Sequence, residues 1–398
     1  MASSGGAPPA VVLVTDGQQR KALAAVRSLG RAGHRPLVAE EMWLTTSFFS
    51  RFAAGRAVYP SPLRGRAVFG RWLAAFVRAH GVEVLLAMDD ATLEAALETP
   101  PPCAGLFPPP EAFHLFRDKA ATLQAAARVG VSVPRWVVAD TEPERALRQA
   151  EALGYPVVLK PRVSSGGRGL VLAEDPAALV AALAAQPGQE PLLQGWVGWG
   201  AQYDVGLLYD AGGRRVAAFV QRELRHYPLT GGPSTVQESV QAPELVRLAD
   251  RLLASAGWIG PAEVEFRLDA AGVPRLMEVN PRYWASLALA IQCGVDFPRL
   301  HVALALGRPV EPVLEYAVGR RCRWLLPGDI LHYLANPRRA EMDPPLLGPA
   351  DPPLRDDILD AADPLPALGF ALAAAAWLCQ PGRRRMVLRG GSARRPAK

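Results

Sequence analysis

The chain has 398 residues, half of them hydrophobic and 21% charged, with a formal net charge of +6. This is a normal globular balance, with room for two to four domains of roughly 100–200 residues. The positive charge is scattered rather than gathered into a stripe, so a nucleic-acid partner is not expected. Cys103, Cys293, Cys322 and Cys379 lie far apart, without ligand-spaced histidines, which argues against a disulfide framework or a zinc site. Residues 1–9 lack the basic start and apolar run of a signal peptide. No stretch matches the ~20 apolar residues of a membrane span, so a cytoplasmic protein without an integral span is expected.

Residues 10–14 form an apolar run ending at Thr15-Asp16-Gly17. Leu23, Val26 and Leu29 then repeat at helical spacing over 21–32, and a second apolar run occupies 36–39, a β-α-β opening. A helix over 63–80 leads to a strand at 82–87 ending in Met88-Asp89-Asp90. Ligands of open parallel α/β sheets sit past the strand C-termini, which makes Asp89 a candidate substrate residue. A helix N-cap is its competing role. No dinucleotide glycine fingerprint follows the first strand, which disfavours NAD. Six prolines within 99–110 mark a linker.

Beyond the linker a helix over 110–129 carries Asp118-Lys119. A strand at 135–139 and a helix at 142–153 precede a strand at 155–160, which ends in Lys160 and runs into Ser164-Ser165-Gly166-Gly167-Arg168-Gly169. Strand 170–173, helix 175–185 and strand 191–197 follow. Residues 205–208 and 216–221 alternate as a hairpin around the turn at 210–213. A polar glycine loop covers 225–235, a helix 243–257, and a second hairpin joins 262–268 to 275–279. Past residue 315 the chain is Pro-rich and less regular, up to an apolar helix at 367–378 and an end rich in arginine at 383–385. That end reads as a solvated tail or as a peripheral contact with an anionic surface.

Only four of the 44 basic residues are lysines, and asparagine occurs only at 280 and 336, so an interior lysine or asparagine invites a chemical question. Lys160 ends a strand beside a Gly-Gly turn whose backbone N–H groups suit phosphate oxygens; an ordinary hairpin turn is the alternative. Glu265 and Glu278 lie close on the two arms of one hairpin, with Asn280 two residues further on the same face. Two carboxylates and a carboxamide form an oxygen set suited to Mg²⁺ and nucleotide phosphates, and Arg282 on the same face suits a transferring phosphoryl group. A charged, solvent-facing hairpin fits the same spacing.

Asp118-Lys119, Val158-Leu159-Lys160-Pro161, the Ser-Ser-Gly-Gly-Arg-Gly loop and Glu265 followed by Met277-Glu278-Val279-Asn280-Pro281-Arg282 together resemble the ATP-grasp superfamily, over about residues 10–312. Arg222-Glu223-Leu224-Arg225, residues 231–235 and Tyr283-Trp284-Ala285-Ser286 are similar to its carbamoyl-phosphate-synthetase-like members, described as predicted carboxylate ligases. The resemblance implies a combined α/β and α+β fold: an N-terminal Rossmann-like pre-ATP-grasp domain at 1–107, ATP-grasp subdomains at 108–190 and 191–312, and a C-terminal extension at 313–398.

It further implies ATP and Mg²⁺, with Mn²⁺ as an alternative. Lys119 and Lys160 would bind phosphates, and Ser165, Gly166 and Gly167 would close over them. Gln194, Gly195, Trp196 and Val197 would form the hinge at adenine, and Glu265, Glu278 and Asn280 would hold the metal. Arg282 and Lys160 would act in catalysis. The glutamate that the family usually sets at the ribose is missing, and Gln202 or Asp204 stands near its place. Arg222, Arg225, Gly231 and Gly232 mark a place for an anionic acceptor, with a salt-bridged rim as the other reading of the arginines. The partners expected are a small-molecule carboxylate and a nucleophile, with a homo-oligomer as an option. The implied reaction is a carboxylate–amine ligation through an acyl phosphate. Bicarbonate or carbamate activation, and a catalytically silent ATP-binding regulator, are the alternatives.

Overall fold

The computed structural model describes residues 8–164, 166–186, 190–198, 200–229 and 231–378; among them the chain forms three β-sheets. The first comes from β1 (Val11–Val14), α1 (Arg20–Arg31), β2 (Arg35–Glu40), β3 (Gly55–Val58), α2 (Arg66–His80), β4 (Val84–Leu86) and α3 (Asp90–Glu98). Its strands are parallel in the order β3-β2-β1-β4. The apolar runs of β1 and β4 suit a sheet covered on both faces. α1 buries Leu23, Val26 and Leu29 against it, and the chain turns back at Gly33, whose φ of +85° favours glycine. β3 is not among the expected strands; it is an edge strand beside β2.

The single helix expected over 110–129 is two, α4 (Pro110–Arg117) and α5 (Lys119–Arg128). Asp118 between them is extended, with φ −89° and ψ 113°, and its carboxylate accepts the N–H groups of Ala120 and Ala121. An N-cap in mid-segment restarts the helix and leaves Lys119 in its first turn. Next come β5 (Trp136–Val138), α6 (Pro143–Leu153), β6 (Val157–Lys160), β7 (Val171–Ala173), α7 (Pro176–Ala184) and β8 (Leu192–Gly195). These strands form an antiparallel sheet in the order β5-β8-β6-β7, with a core of Leu159, Leu179 and Leu193. β8 therefore belongs with the preceding strands, not with the segment expected to start at residue 191.

The third sheet has seven strands, in the order β13-β12-β9-β10-β11-β14-β15. Its elements are β9 (Gln202–Tyr209), β10 (Arg215–His226), β11 (Ser234–Ser239), α8 (Pro243–Ala254), β12 (Gly260–Leu268), β13 (Pro274–Asn280), α9 (Leu287–Gln292), α10 (Phe297–Ala305), β14 (Arg321–Arg323), α11 (Ile330–Ala335) and β15 (Leu354–Asp356). β10 outruns the expected 216–221, and β11 begins inside the expected glycine loop. Part of the expected C-terminal extension joins this sheet, because β14 and β15 continue it beyond β11. The chain then returns to α1, where the Arg27 guanidinium donates to the Asp363 carboxylate at 2.9 Å and to the Asp357 and Ile358 carbonyls. α12 (Leu365–Leu378) closes against a 3-10 turn at Thr46–Phe49. No helix among the described residues is long and apolar enough to cross a membrane. Cys103, Cys293 and Cys322 are free thiols, and Cys379 and Arg383–Arg385 lie outside the described residues.

Period-two alternation gives β9 two jobs. Val205, Leu207 and Tyr209 enter the core beneath α5 and α8, while Asp204 and Gly206 face the other way. Trp284 packs onto Gly206 so closely that a Cβ there would meet its ring at 2.4 Å. Trp284 is thus a buried packing residue, stacked edge-on against Phe297. Gly206→Ala is expected to destabilise the protein by about 1–3 kcal/mol through overpacking. A lower urea midpoint at unchanged slope would register it, and an unchanged midpoint would refute the close approach.

Candidate functional site

The site is written across the large sheet as a rung. Gln221 of β10 stands opposite Asp204 of β9, Asp204 opposite Glu265 of β12, and Glu265 opposite Glu278 of β13. Glu263 and Asn280 pair on the next rung. Like charges directly opposite one another in a sheet are destabilising, so three adjacent carboxylates are not there for stability. They line a cleft of about 1110 Å³, open to solvent, shared with Lys119, Lys160, Gly166, Gly167, Gln202, Gly231, Gly232 and Arg282.

A register shift between Glu265 and Phe266 places an extra residue, Met277, in β13. Simple alternation would turn Met277 away; the bulge brings it to the cleft wall beside Glu278. The Lys160 ammonium lies 3.4 Å from the Met277 carbonyl oxygen. Lys119 reaches Glu278 at 3.0 Å and donates to the Ser164 carbonyl at 2.8 Å. Asp118, which caps α5, also accepts from the Arg162 guanidinium, so the segment after β6 is tied to the helix that carries Lys119.

Charge in the cleft is unevenly compensated. Burial would raise the Glu278 carboxyl, but Lys119 and then Lys160 hold it below the usual range. Glu263 lies near Arg282, and Glu265 near Lys160 and Arg267, but burial and the neighbouring carboxylates outweigh these cations. Burial, then Glu278, pushes Glu265 far up, and burial, then Asp204, does the same to Glu263. Burial lifts Asp204 to about 6 against the opposing hydrogen bond from Gln221. Glu223 is raised well above its ordinary value by burial and by Asp204. Burial brings the Lys160 ammonium down to about 8, with Glu278 opposing. One oxygen of Asp204 and one of Glu223 have no hydrogen-bond partner.

This donor set fits a divalent cation. The Asn280 amide now bridges Glu263 and Glu265 at 2.9 and 2.7 Å, and its oxygen accepts from Arg282 at 2.9 Å. Among the described residues no three His, Cys, Asp or Glu side chains converge closely enough to hold an ion by themselves. Mg²⁺ keeps several waters and binds through one or two carboxylates plus substrate phosphates, so Glu265 and Glu278 would be the protein's share of such a site.

Two glycine loops face each other across the cleft. Gly166 and Gly167 have φ of +63° and +69°, and a Cβ on Gly167 would lie 3.5 Å from the Gly232 Cα. Ser165 lies outside the described residues. Arg282 is buried between the first and third sheets. Its guanidinium meets Asp89 at 3.3 Å and Asp90 at 3.2 Å and donates to the Tyr283 carbonyl at 2.8 Å. Asp89 is both the N-cap of α3 and an ion-pair partner of Arg282 and Lys21. It does not line the cleft; its bearing on the site runs through Arg282.

Two sets of expected residues make other contacts within the protein. Of the hinge residues, Gly195 N–H donates to the Arg135 carbonyl and Trp196 N–H to that of Pro156, while Gln194 is buried. Gly195, Trp196 and Val197 line a separate cleft with Tyr155 and Asp269, because β8 is central in the small sheet. The acceptor arginines are neutralised: Arg222 binds Glu238 at 2.7 Å, and buried Arg225 grips Asp329 with two 2.9 Å bonds. They form the salt-bridged rim instead. Arg225→Met is expected to lower stability by roughly 3 kcal/mol, because it strands the buried Asp329 carboxylate. A thermal melt unchanged from the parent would exclude this.

Glu223, Glu263 and Arg267 also face the cleft and are not among the expected site residues. Glu263 was legible by alternation from Glu265. Glu223 needed β10 to be read two residues longer. Arg267 donates to the Gln202 side-chain oxygen at 2.6 Å, so Gln202 is held by the protein itself.

Residues 118–191 match the family described as carbamoyl-phosphate synthase L chain, ATP binding domain, and residues 200–325 match the family described as ATP-grasp in the biosynthetic pathway with Ter operon. An uncharacterized protein, y4rH, of Sinorhizobium fredii is 31% identical over 223 residues, covering 50% of this chain and 44% of that protein. The carbamoyl phosphate synthase large chain of Thermus thermophilus is 27% identical over 216 residues, covering 51% of this chain and 21% of that one. The chain thus spans less than half the length of these relatives. The biotin carboxylase domain of Hydrogenobacter thermophilus 2-oxoglutarate carboxylase, solved with MgADP, ADP and bicarbonate, superposes with a TM-score of 0.62 at 17% identity, over 78% of this chain and 73% of that one. That likeness is one of fold.

Proposed function

The chain belongs to the ATP-grasp superfamily, and from that premise we propose that it is an ATP- and Mg²⁺-dependent ligase joining a carboxylate to an amine. The observation that carries this reading is the rung of Asp204, Glu265 and Glu278 facing Lys119 and Lys160 across one cleft. Lys119 and Lys160 bind the phosphates of ATP, and the glycine loops at 166–167 and 231–232 approach them with backbone alone. Glu265, Glu278 and the Asn280 oxygen hold Mg²⁺, which supplies charge neutralisation at the transferring phosphoryl group.

In the first step a substrate carboxylate oxygen attacks the γ-phosphorus, and the bond to the ADP oxygen breaks. Arg282, fixed by Asp89 and Asp90, steadies the transferred group. In the second step the amine nitrogen attacks the acyl carbon and phosphate leaves. The amine's proton passes to a carboxylate of the cleft wall. The protein's share is positioning and charge. The parallel sheet reads as the pre-ATP-grasp domain, with Asp89 at its C-terminal edge linking it to the nucleotide cleft.

The test is ADP release from Mg-ATP, screened against pools of carboxylates and amines. Release that needs one carboxylate and one amine supports the ligase. Release that needs only bicarbonate points to the second reading, favoured by the likeness to a carboxylase domain that binds bicarbonate. Nucleotide binding without turnover on any pool sinks both.

A further inference from the structure

The rung across the large sheet has two ends. Glu265 and Glu278, on β12 and β13, form the end given to Mg²⁺, beside Lys119 and Lys160. Asp204 on β9 and Glu223 on β10 form the other end, and holding the nucleotide gives neither of them a task. Gln221 pairs with Asp204 across the strands. Glu223, two residues further along β10, points to the same face, so the two carboxylates are diagonal neighbours.

Asp204 is only 4% exposed, yet it lines the cleft. One of its oxygens accepts from the Gln221 amide at 2.8 Å, and the other has no donor. One oxygen of Glu223 and the side-chain oxygen of Gln221 are also buried without a donor. Buried polar atoms are ordinarily paired, so three open acceptors in one corner of a cleft call for a ligand that brings donors. The two carboxyls also act on each other, and the free protein must keep a proton on one of them. A cation in that corner would take the proton's place.

Among the described residues no Lys, Arg or His forms an ion pair with either carboxylate. Arg267, whose charge bears on Glu223, donates instead to the Gln202 side-chain oxygen and the Gly198 carbonyl. Arg222, next in the chain, is paired with Glu238. His226 faces the cleft, but burial holds its imidazole below its ordinary range, so it adds no charge at neutral pH. A primary ammonium carries three N–H donors, which matches the three open acceptors. The place is right for a nucleophile as well. Neighbouring strands lie about 5 Å apart, so the corner is one to two strands from the metal carboxylates, within reach of an acyl phosphate whose phosphoryl group sits at the Mg²⁺.

We infer that Asp204 and Glu223, with the Gln221 oxygen, seat the ammonium group of the amine substrate, so that the acceptor is a primary amine arriving as a cation. Its role as acceptor rests on the ligase reading of the same cleft; the ammonium seat does not. Before attack the ammonium gives one proton to a carboxylate of the pair. The lone pair thus freed forms the bond to the acyl carbon as phosphate leaves.

The experiment is thermal unfolding of the full chain, loaded with Mg-ADP, in rising methylammonium chloride. Sodium, potassium and tetramethylammonium chlorides at the same concentrations are the controls; the last has the charge but no N–H. Methylammonium is expected to raise Tm above all three, as a ligand bound only by the folded protein does. Glu223→Gln and Asp204→Asn are each expected to need at least about tenfold more methylammonium for the same rise, the worth of a hydrogen bond to a charged group. Mg-ADP affinity, read by calorimetry in both variants, is expected to fall less than that. A rise from methylammonium no larger than from the controls overturns the inference, and this comparison decides it even if neither variant folds. A response that survives both substitutions overturns it too. So does a loss of Mg-ADP affinity as large as the loss of the methylammonium response, which would assign the pair to the metal. Turnover in the pool screen by a protein without a methylammonium response would overturn this inference and leave the ligase reading standing. A methylammonium response in a protein that turns over on no pool would keep the ammonium seat and remove the ligase reading.

Discussion

Glu278→Gln is expected to reduce ADP release by about 10³-fold while leaving the fold intact. Glu278 sits at the end of the carboxylate rung, bonded to Lys119 and flanked by Lys160, and is the wall carboxylate most firmly held ionised. An amide of the same shape keeps the packing but removes the charge that a divalent cation needs. Losing several kcal/mol of charge stabilisation corresponds to that factor. Thermal stability should change little, since the substitution also relieves the repulsion with Glu265. Normal turnover by Glu278→Gln would remove the metal assignment. A variant that neither turns over nor melts cooperatively would show a structural role instead, and Glu265→Gln then becomes the deciding comparison.

The second large effect belongs to Lys160. Burial brings its ammonium down to about 8 from the ordinary 10.5, so the free protein starts to lose this charge just above neutral pH. Phosphates favour the protonated form and raise its pKa on binding. ATP affinity is therefore expected to be level below pH 8 and to fall by up to about tenfold per pH unit above it. The sign for stability is opposite: between 8 and 10.5 the unfolded chain binds the proton that the folded chain has shed, so this group makes the free protein more stable as pH rises through that window. Lys160→Met should weaken ATP binding by about 10–100-fold, the worth of a hydrogen bond to a charged group, and abolish its alkaline fall. Titration calorimetry across pH reads both. An alkaline fall that persists in Lys160→Met would assign it to another group.

Much of this was legible in the chain because the informative residues are rare or periodic. Asp118-Lys119, Lys160 and Asn280 stand out in a chain that has only four lysines. Glu263, Glu265 and Arg267 alternate along β12 and all three face the cleft, although only Glu265 is among the expected site residues. The helix break at Asp118 was missed because helical periodicity runs on through 110–129; only the bonds from Ala120 and Ala121 to its side chain reveal the restart. β11 and β14 were missed for a different reason. Their residues, Ser234–Ser239 and Arg321–Arg323, have weak intrinsic strand preference and become strands by pairing with each other beside β10.

By itself the sequence determined which residues carry chemistry and which local face they share, since 3.6- and 2-residue periods are properties of the backbone. Tertiary structure decided which of those residues meet. It set Asp204 beside Glu265 through the pairing of β9 with β12, and it turned Met277 to the cleft by a one-residue bulge. It also spent Arg222 and Arg225 on Glu238 and Asp329, the latter from a segment about a hundred residues away. An arginine's charge is written in the chain, but whether that charge is free for a substrate depends on which carboxylate folds against it first.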